Sequence, residues 1–321
     1  MLRIPVTALL VLLAAVPVHN IKPIVETAPM PVDVDDPSIW VNPADAGKSL
    51  IVGTIKRPKP EGGVGIYNLR GELLDRIRDI DRPNNVDILG DICVLTERYA
   101  HQLRVYRVGA EKPWLTLLGT VPVFAGQTGD SSDPMGIALY RRQRDLALFA
   151  IVSRRMGPSG AYLWQYRLDV TGDRVTGSKV REFGVFSGSG QIEAVAVDSE
   201  RELVYYADED CCVRASEADP DKRGASQEVA RIATTGFRAN REGIAVAGPW
   251  IIVTDQLPNA SEYHVYDRTD RREMAVWRGQ SDTTDGIDAV SRPMGPGFPN
   301  GFLVAMNSAR HTFHLYSLPS R

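Results

Sequence analysis

Lys56, Arg98 and Arg155 each stand where an apolar strand ends, and Glu209 and Gln256 stand at the corresponding strand ends further along the chain. A second column of side chains, Asp35, Asp36, Glu193, Glu242 and Asp285, lies in short segments that precede those strands. Brought onto one rim, the two columns would set a cationic sector against an anionic one. Carboxylates crowded at close range cannot all stay ionised without a cation, because like charges raise one another's pKa values. Oxygen donors from Asp, Glu, Gln and backbone carbonyls are the set calcium prefers, since it accepts about six to eight flexible contacts. Zinc is a poor match, because His19, His101, His264, His311 and His314 form no recurring pair. Lys56, Arg98 and Arg155 are the residue types that hold phosphate oxygens, arginine taking two at once. The chemistry expected is hydrolysis of a phosphate ester by metal-activated water, with no protein nucleophile. In keeping with this, the chain has no Cys-x5-Arg loop, no G-x-S-x-G elbow and no P-loop.

The elements that must position these residues show as a repeat. The segments DDPSI (Asp35 to Ile39), NNVDI (Asn84 to Ile88), DPMGI (Asp133 to Ile137), QIEAV (Gln191 to Val195), NREGI (Asn240 to Ile244) and TTDGI (Thr283 to Ile287) return at intervals of roughly 40 to 60 residues, a period suited to propeller blades or solenoid units. The ends of the following strands recur in step, at Lys56, Arg98, Arg155, Glu209, Gln256 and Asn307. A third column runs through the next strands as Tyr67, Tyr106, Tyr166, Ala215, Tyr266 and Tyr316, and is expected to be packing rather than chemistry. Several of those strands run into polar or glycine-containing turns such as Arg70-Gly71 and Thr171-Gly172-Asp173, which is hairpin chemistry. No long stretch carries a 3.6-residue apolar period, and 28 glycines with 21 prolines supply many turns. The fold expected is all-β, a six-bladed β-propeller of four-stranded antiparallel blades in one domain. The first strand of each blade would line the axis, so the chemical residues would converge on one mouth of the channel.

At the N-terminus Arg3 precedes an apolar run from Ile4 to about Val18, with no acidic residue before Glu26. The run is shorter than the ~20 residues needed to span a bilayer, so residues 1–22 are expected to be an export signal, with the cleavage position open and residues 23–321 forming the propeller. The mature protein would then be periplasmic or secreted and free of membrane. A formal net charge of −3 without a basic, aromatic-laced face argues against nucleic acid and for a small-molecule partner. Nothing demands assembly, so a monomer is expected. Cys93 lies in an apolar strand and reads as a small buried hydrophobe, while Cys211 and Cys212, being adjacent, are expected not to bridge one another.

From about Val32 onward the chain resembles the β-propeller phytases, calcium-dependent six-bladed phosphatases. The resemblance is carried by DVDDPSIWVNP, GTIKR, GIYNLRGE, NNVDI, QIEAVAVDSERELVYYADED, REGI, SDTTDGIDAV and MGPGFPNGFLVA. It implies a 3-phytase-type phosphomonoester hydrolase that releases phosphate from myo-inositol hexakisphosphate (phytate) or a related inositol phosphate, using several Ca2+ ions. Residue by residue, Lys56, Arg98 and Arg155 fall where the family binds substrate phosphates. Glu193, Glu209, Glu242, Gln256 and Asp285 fall where it holds catalytic calcium, and the first three are the expected catalytic centre. Asp35 joins this metal set, and Asp36 with the backbone of Pro37 and Val86 matches a structural calcium clip between the first two blades. The chain departs from the family at Met135, where a tyrosine is expected, at Asn240, where an aspartate is expected, and at Arg155, which replaces a lysine. Fewer ligand charges weaken calcium affinity. The departures leave a second reading open, a propeller that binds calcium or an anionic ligand without turnover. A calcium-dependent lactonase-like propeller would use the acidic ring alone, with no need of the three basic residues.

Overall fold

A computed structural model describes residues 15–320. Six antiparallel sheets form the blades, with inner strands Val34–Trp40, Pro83–Leu89, Pro134–Arg141, Val195–Asp198, Arg241–Ala247 and Ile287–Val290. Helix among the described residues is confined to three short 3-10 turns. The sixth blade takes its outer strand from the start of the chain, where Val25–Glu26 pairs antiparallel with Thr312–Ser317. This pairing joins first and last segments and closes the ring, so that no blade is left to fray on its own. Val18–Asn20 adds a fifth, parallel strand to the fifth blade, against Glu273–Arg278. The expected signal segment therefore lies partly outside the described residues and partly, from residue 15, within them.

Each blade interface has its own apolar cluster. Val86, Cys93 and Leu95 of the second blade, for example, pack on Val52, Val64 and Ile66 of the first, and Ile137, Leu139 and Val152 of the third pack on Ile92, Val94 and Val105 of the second. Burial of one such aliphatic side chain stabilises by roughly 1.5–3 kcal/mol, so the blades hold each other through many small contributions. The tyrosine column is buried, as expected of packing residues. Where the fourth blade has Ala215 instead, the residue paired opposite it is Tyr205, itself fully buried, so the ring is supplied from the neighbouring strand.

Four inner strands break register at their heads, between Val34 and Pro37, Pro83 and Val86, Pro134 and Ile137, and Arg241 and Ile244. A bulge of this kind leaves residues unpaired and re-aims their side chains. Counting from the register, Asp35, Asn84, Met135, Glu193, Glu242 and Asp285 occupy one equivalent position in the six blades, the first after the break in the four blades that have one. The next residue inward is small in four blades. At Gly136 a Cβ would sit 1.6 Å from the Glu193 carbonyl oxygen, and at Gly286 it would sit 2.0 Å from Asp36 Oδ1, so these glycines let the neighbouring blade close in on the axis.

Cys93 is buried and free, but Cys211 and Cys212 are joined as a vicinal disulfide, against the expectation from their adjacency. The pair closes the turn that leads from Leu203–Asp208 into Cys212–Glu217, where the strand reversal brings the two sulfurs together.

Candidate active site

The two chemical columns meet on one rim, and a repeated hydrogen bond shows how. The backbone N–H of each strand-end residue donates to a carbonyl at the entry to the same blade's inner strand: Lys56 to Asp33, Arg98 to Arg82, Arg155 to Asp133, Glu209 to Gln191 and Gln256 to Asn240. In the sixth blade the equivalent residue by register is Ser308, one later than the Asn307 expected from the sequence, and its N–H donates to Asp282.

The anionic sector is compact. Glu193, Glu209 and Glu242 each offer an oxygen within 4.8 Å of the others. Burial first, and then the neighbouring charge of Glu193, pushes the Glu209 carboxyl up to about 7. Glu242 is raised well above the usual carboxylate range by burial, then by Glu209 and Glu193. Asp285 is pushed up to about 7, mainly by burial, and Gln256 Nε2 donates to its Oδ1. Asp35 is raised too, by burial and by the charges of Asp285 and Glu193.

Lys56 does not stand across the mouth from this cluster but inside it. Its ammonium lies 2.9 Å from Asp35 Oδ1 and 3.1 Å from Glu193 Oε1. Burial works to discharge it, yet the carboxylates of Asp35, Glu193 and Asp285 outweigh that and raise its pKa. Arg98 is buried, with Nε donating to Asp133 Oδ2 at 2.9 Å, whereas Arg155 is exposed and pairs with Asp130 at 3.3 Å. The two arginines therefore form the basic sector, with Lys56 as the link between the two halves.

Asp36 accepts the Val86 N–H at 2.9 Å, tying the first blade to the second. The same device recurs deeper on the axis. Asp87 Oδ2 accepts the Leu139 N–H of the third blade at 2.6 Å, and Asp288 Oδ2 accepts the Ile39 N–H of the first blade at 2.8 Å. These residues line an axial cavity of 230 Å³ that opens under Glu242. Met135 is buried in the gap of the acidic ring, its carbonyl accepting from Thr96 Oγ1 at 2.8 Å, and it brings no polar group to the rim. Asn84, quoted in the repeat but given no role from sequence, donates to Glu193 Oε1. Asp133 is likewise new as the holder of Arg98. Both sit in the recurring segments, so the repeat pointed to their positions, though not to their partners.

The donor set fits a hard divalent cation. Asp35 Oδ2, Asn84 Oδ1 and Gln191 Oε1 are buried acceptors to which nothing donates, a costly arrangement for a group shut away from water. All are oxygens, and they adjoin the three clustered glutamates. A cation such as calcium would satisfy them and would let the crowded carboxyls ionise together.

A six-bladed propeller carries at its mouth a cluster of carboxylate and amide oxygens, of the kind that suits a hard cation, beside two arginines of the kind that suits an anion. The phytase family profile matches residues 13–311, and the chain belongs to that family. Among curated proteins it is similar to the 3-phytase of Bacillus subtilis (strain 168), 29% identical over 299 residues that cover 85% of this chain and 74% of the relative.

Proposed function

We propose that this protein is a calcium-dependent phosphomonoester hydrolase that releases phosphate from phytate or a related inositol phosphate. The observation that carries the reading is the triad Glu193, Glu209 and Glu242, with oxygens within 4.8 Å of one another, flanked by unsatisfied acceptors on the rim that also holds Arg98 and Arg155. Family membership supports the substrate class, as does the 3-phytase relative. Glu193, Glu209, Glu242, Asp35, Gln256 and Asp285 would hold the cations, and Asp36 with the Val86 backbone would hold a structural one. Bound calcium supplies neutralisation of phosphate charge and activation of water.

The chain's own groups do the rest. Asp133 fixes the Arg98 guanidinium, leaving its remaining N–H groups for phosphate oxygens. Arg155, held only by an exposed pair, is free to turn onto a second oxygen. Lys56 balances Asp35 and Glu193, so the anionic half does not repel an incoming phosphate outright. Glu209, its carboxyl pushed up to about 7 by burial and by Glu193, accepts the Gln191 N–H at 2.9 Å, and a bound cation would favour its ionised form. The apolar N-terminal run supports export, where millimolar calcium suits a site of modest affinity.

The test is phosphate release from phytate with calcium varied from chelated to millimolar, with an aryl phosphate alongside. Calcium-dependent release by the wild type, lost in Glu193→Ala and Glu242→Ala, is the expected result. Calcium that raises Tm while neither substrate is cleaved would favour the non-catalytic reading, for which the apolar Met135 in the ring is the specific support.

A further inference from the structure

Glu209 sits in the tightest of the strand-end turns. In the fourth blade Asp208 pairs with Cys212 across the two strands, so Glu209, Asp210 and Cys211 alone make the reversal. The corresponding pairs are Ile55 with Gly63, Glu97 with Gln102, Ser153 with Leu163, Asp255 with Glu262 and Asn307 with Thr312, and each spans a longer loop. The Cys211 N–H closes the short turn on the Asp208 carbonyl at 2.8 Å. Both backbone groups of Glu209 are held as well, its N–H by the Gln191 carbonyl at 3.1 Å and its carbonyl by Arg241 Nη1 at 2.9 Å. The position of the Glu209 carboxyl therefore follows the turn.

The Cys211–Cys212 bond lies at the foot of that turn. A disulfide stabilises a fold chiefly by closing a long loop in the unfolded chain, and a bond between adjacent residues closes almost none. Its effect is local, on the peptide unit where the turn re-enters its strand. The blade has other means of closure: Arg214 Nε donates to buried Asp208 Oδ2 at 2.9 Å, Arg214 Nη1 pairs with Glu228, and the Ser187 N–H donates to Asp208 at 2.8 Å. Arg214 Nη2 also lies 3.6 Å from Cys211 Sγ, so this network adjoins the disulfide itself. Cys212 is fully buried, whereas Cys211 is only partly so, which leaves the bond open to solvent from one side.

We propose that the Cys211–Cys212 pair is a redox-sensitive positioning element for Glu209. Oxidised, it holds the turn so that Glu209 meets Glu193 and Glu242; reduced, it releases the turn and weakens cation binding by the triad. This rests on the reading of the triad as a cation site. The step is exchange with a dithiol. One dithiol sulfur attacks Cys211 Sγ as a thiolate, the S–S bond breaks, and Cys212 leaves as a thiolate that takes up a proton. The second dithiol sulfur then attacks the first, releasing Cys211 as a thiol, so that two cysteine thiols form as the dithiol becomes a cyclic disulfide. An oxidising compartment keeps the bond and a reducing one does not, so the cation centre is completed only where disulfides persist.

The test compares the oxidised protein, the same protein reduced with a dithiol and desalted, and the double variant Cys211→Ser, Cys212→Ser. Thiol labelling under denaturation should find only Cys93 in the first and all three cysteines in the second. Calcium binding is read by calorimetry, Tm is measured in chelator, and phosphate release from phytate is followed as calcium is raised. Reduction or double substitution is expected to weaken calcium binding about tenfold, the order of having to fix one more backbone residue on binding, with Tm in chelator little changed. Saturating calcium should restore phosphate release, and reoxidation should restore calcium affinity to the reduced wild type but not to the variant. Equal calcium affinity in all three forms overturns the proposal, as does a Tm in chelator that collapses on reduction, which would make the bond structural. If the oxidised form binds calcium about tenfold tighter than the reduced form yet releases no phosphate, the hydrolase reading fails and the positioning role stands. If no form binds calcium, both fail.

Discussion

The two halves of the mouth solve opposite problems. On the side of the second and third blades each partnered cation is met by one carboxylate, Arg98 by Asp133 and Arg155 by Asp130, so the charges nearly cancel and the side chains are held in place. On the side of the fourth, fifth, sixth and first blades, Glu193, Glu209, Glu242, Asp285 and Asp35 share one lysine, and burial first, then mutual repulsion, raises the pKa of most of them. One half is balanced as it folds, while the other keeps more carboxylates than cations to meet them. That difference separates residues that set the stability of the propeller from residues that keep it poised to bind, and each half should respond differently to mutation, pH and calcium.

The largest effect is expected from removing the triad. Glu209→Gln or Glu242→Gln takes away an anionic oxygen and should cut phosphate release by at least about a thousandfold, on the scale of losing a main electrostatic contributor at a catalytic centre. The same change relieves repulsion, so the calcium-free variant should melt no lower than wild type. Measuring kcat beside Tm in chelator checks both, and a Glu242→Gln protein that melts well below wild type without calcium would show that the acidic half is structural after all.

Lys56 comes next, because it joins the halves. Lys56→Met leaves Asp35 and Glu193 facing each other, and breaking a buried pair in this way costs about 3–5 kcal/mol. Calcium can stand in for the lost charge, so the rise of Tm on adding millimolar calcium should be larger in Lys56→Met than in wild type. An equal rise in both would mean that the lysine and the cation do not share the same carboxylates.

The acidic half should also give the calcium-free protein an inverted pH response. Glu209 and Asp285 titrate at about 7 in the fold, well above the ordinary carboxylate range they take up on unfolding. The folded state therefore binds more protons than the unfolded state between about pH 4 and pH 7, and stability falls as pH rises through that window. Saturating calcium holds the same groups ionised and should remove the fall, since the cation then binds more tightly as protons leave. Tm against pH in chelator and in calcium gives the comparison, and parallel curves would refute it.

Much of this division could be read from sequence, because the segments that open each blade carry both the chemistry and the fold. The bulge at the head of an inner strand needs small or turn-prone residues, and Asp35 and Glu242 fall there while Glu193 and Asp285 take the equivalent positions of their blades, so one pattern reported the blade count and the ring together. What stayed hidden is what depends on backbone contacts or on reach. Val25–Glu26 is too short to show any period, although it closes the ring. Lys56 is long enough to join the acidic cluster, which no spacing rule conveys. The vicinal disulfide follows from a turn geometry that adjacent cysteines do not announce. The carbonyl column that contains Arg82 is a backbone pattern, and its side chains vary from blade to blade.

The smallest contrast lies within the basic half, between its two arginines. Arg98 is buried against Asp133, itself buried, so Arg98→Ala strands a carboxylate and should lower stability by about 3–5 kcal/mol as well as weakening phosphate binding. Arg155 pairs with Asp130 where both are open to water, so Arg155→Ala should cost at most about 1 kcal/mol. Its effect should appear instead in KM for phytate, on the order of tenfold, with kcat little changed, as expected for a contact made equally to substrate and transition state. Denaturant unfolding and steady-state kinetics on the two variants separate these outcomes. If Arg155→Ala lowered kcat and left KM alone, the exposed arginine would be acting in the transition state, and the basic half would be as unfinished before substrate arrives as the acidic half is before calcium.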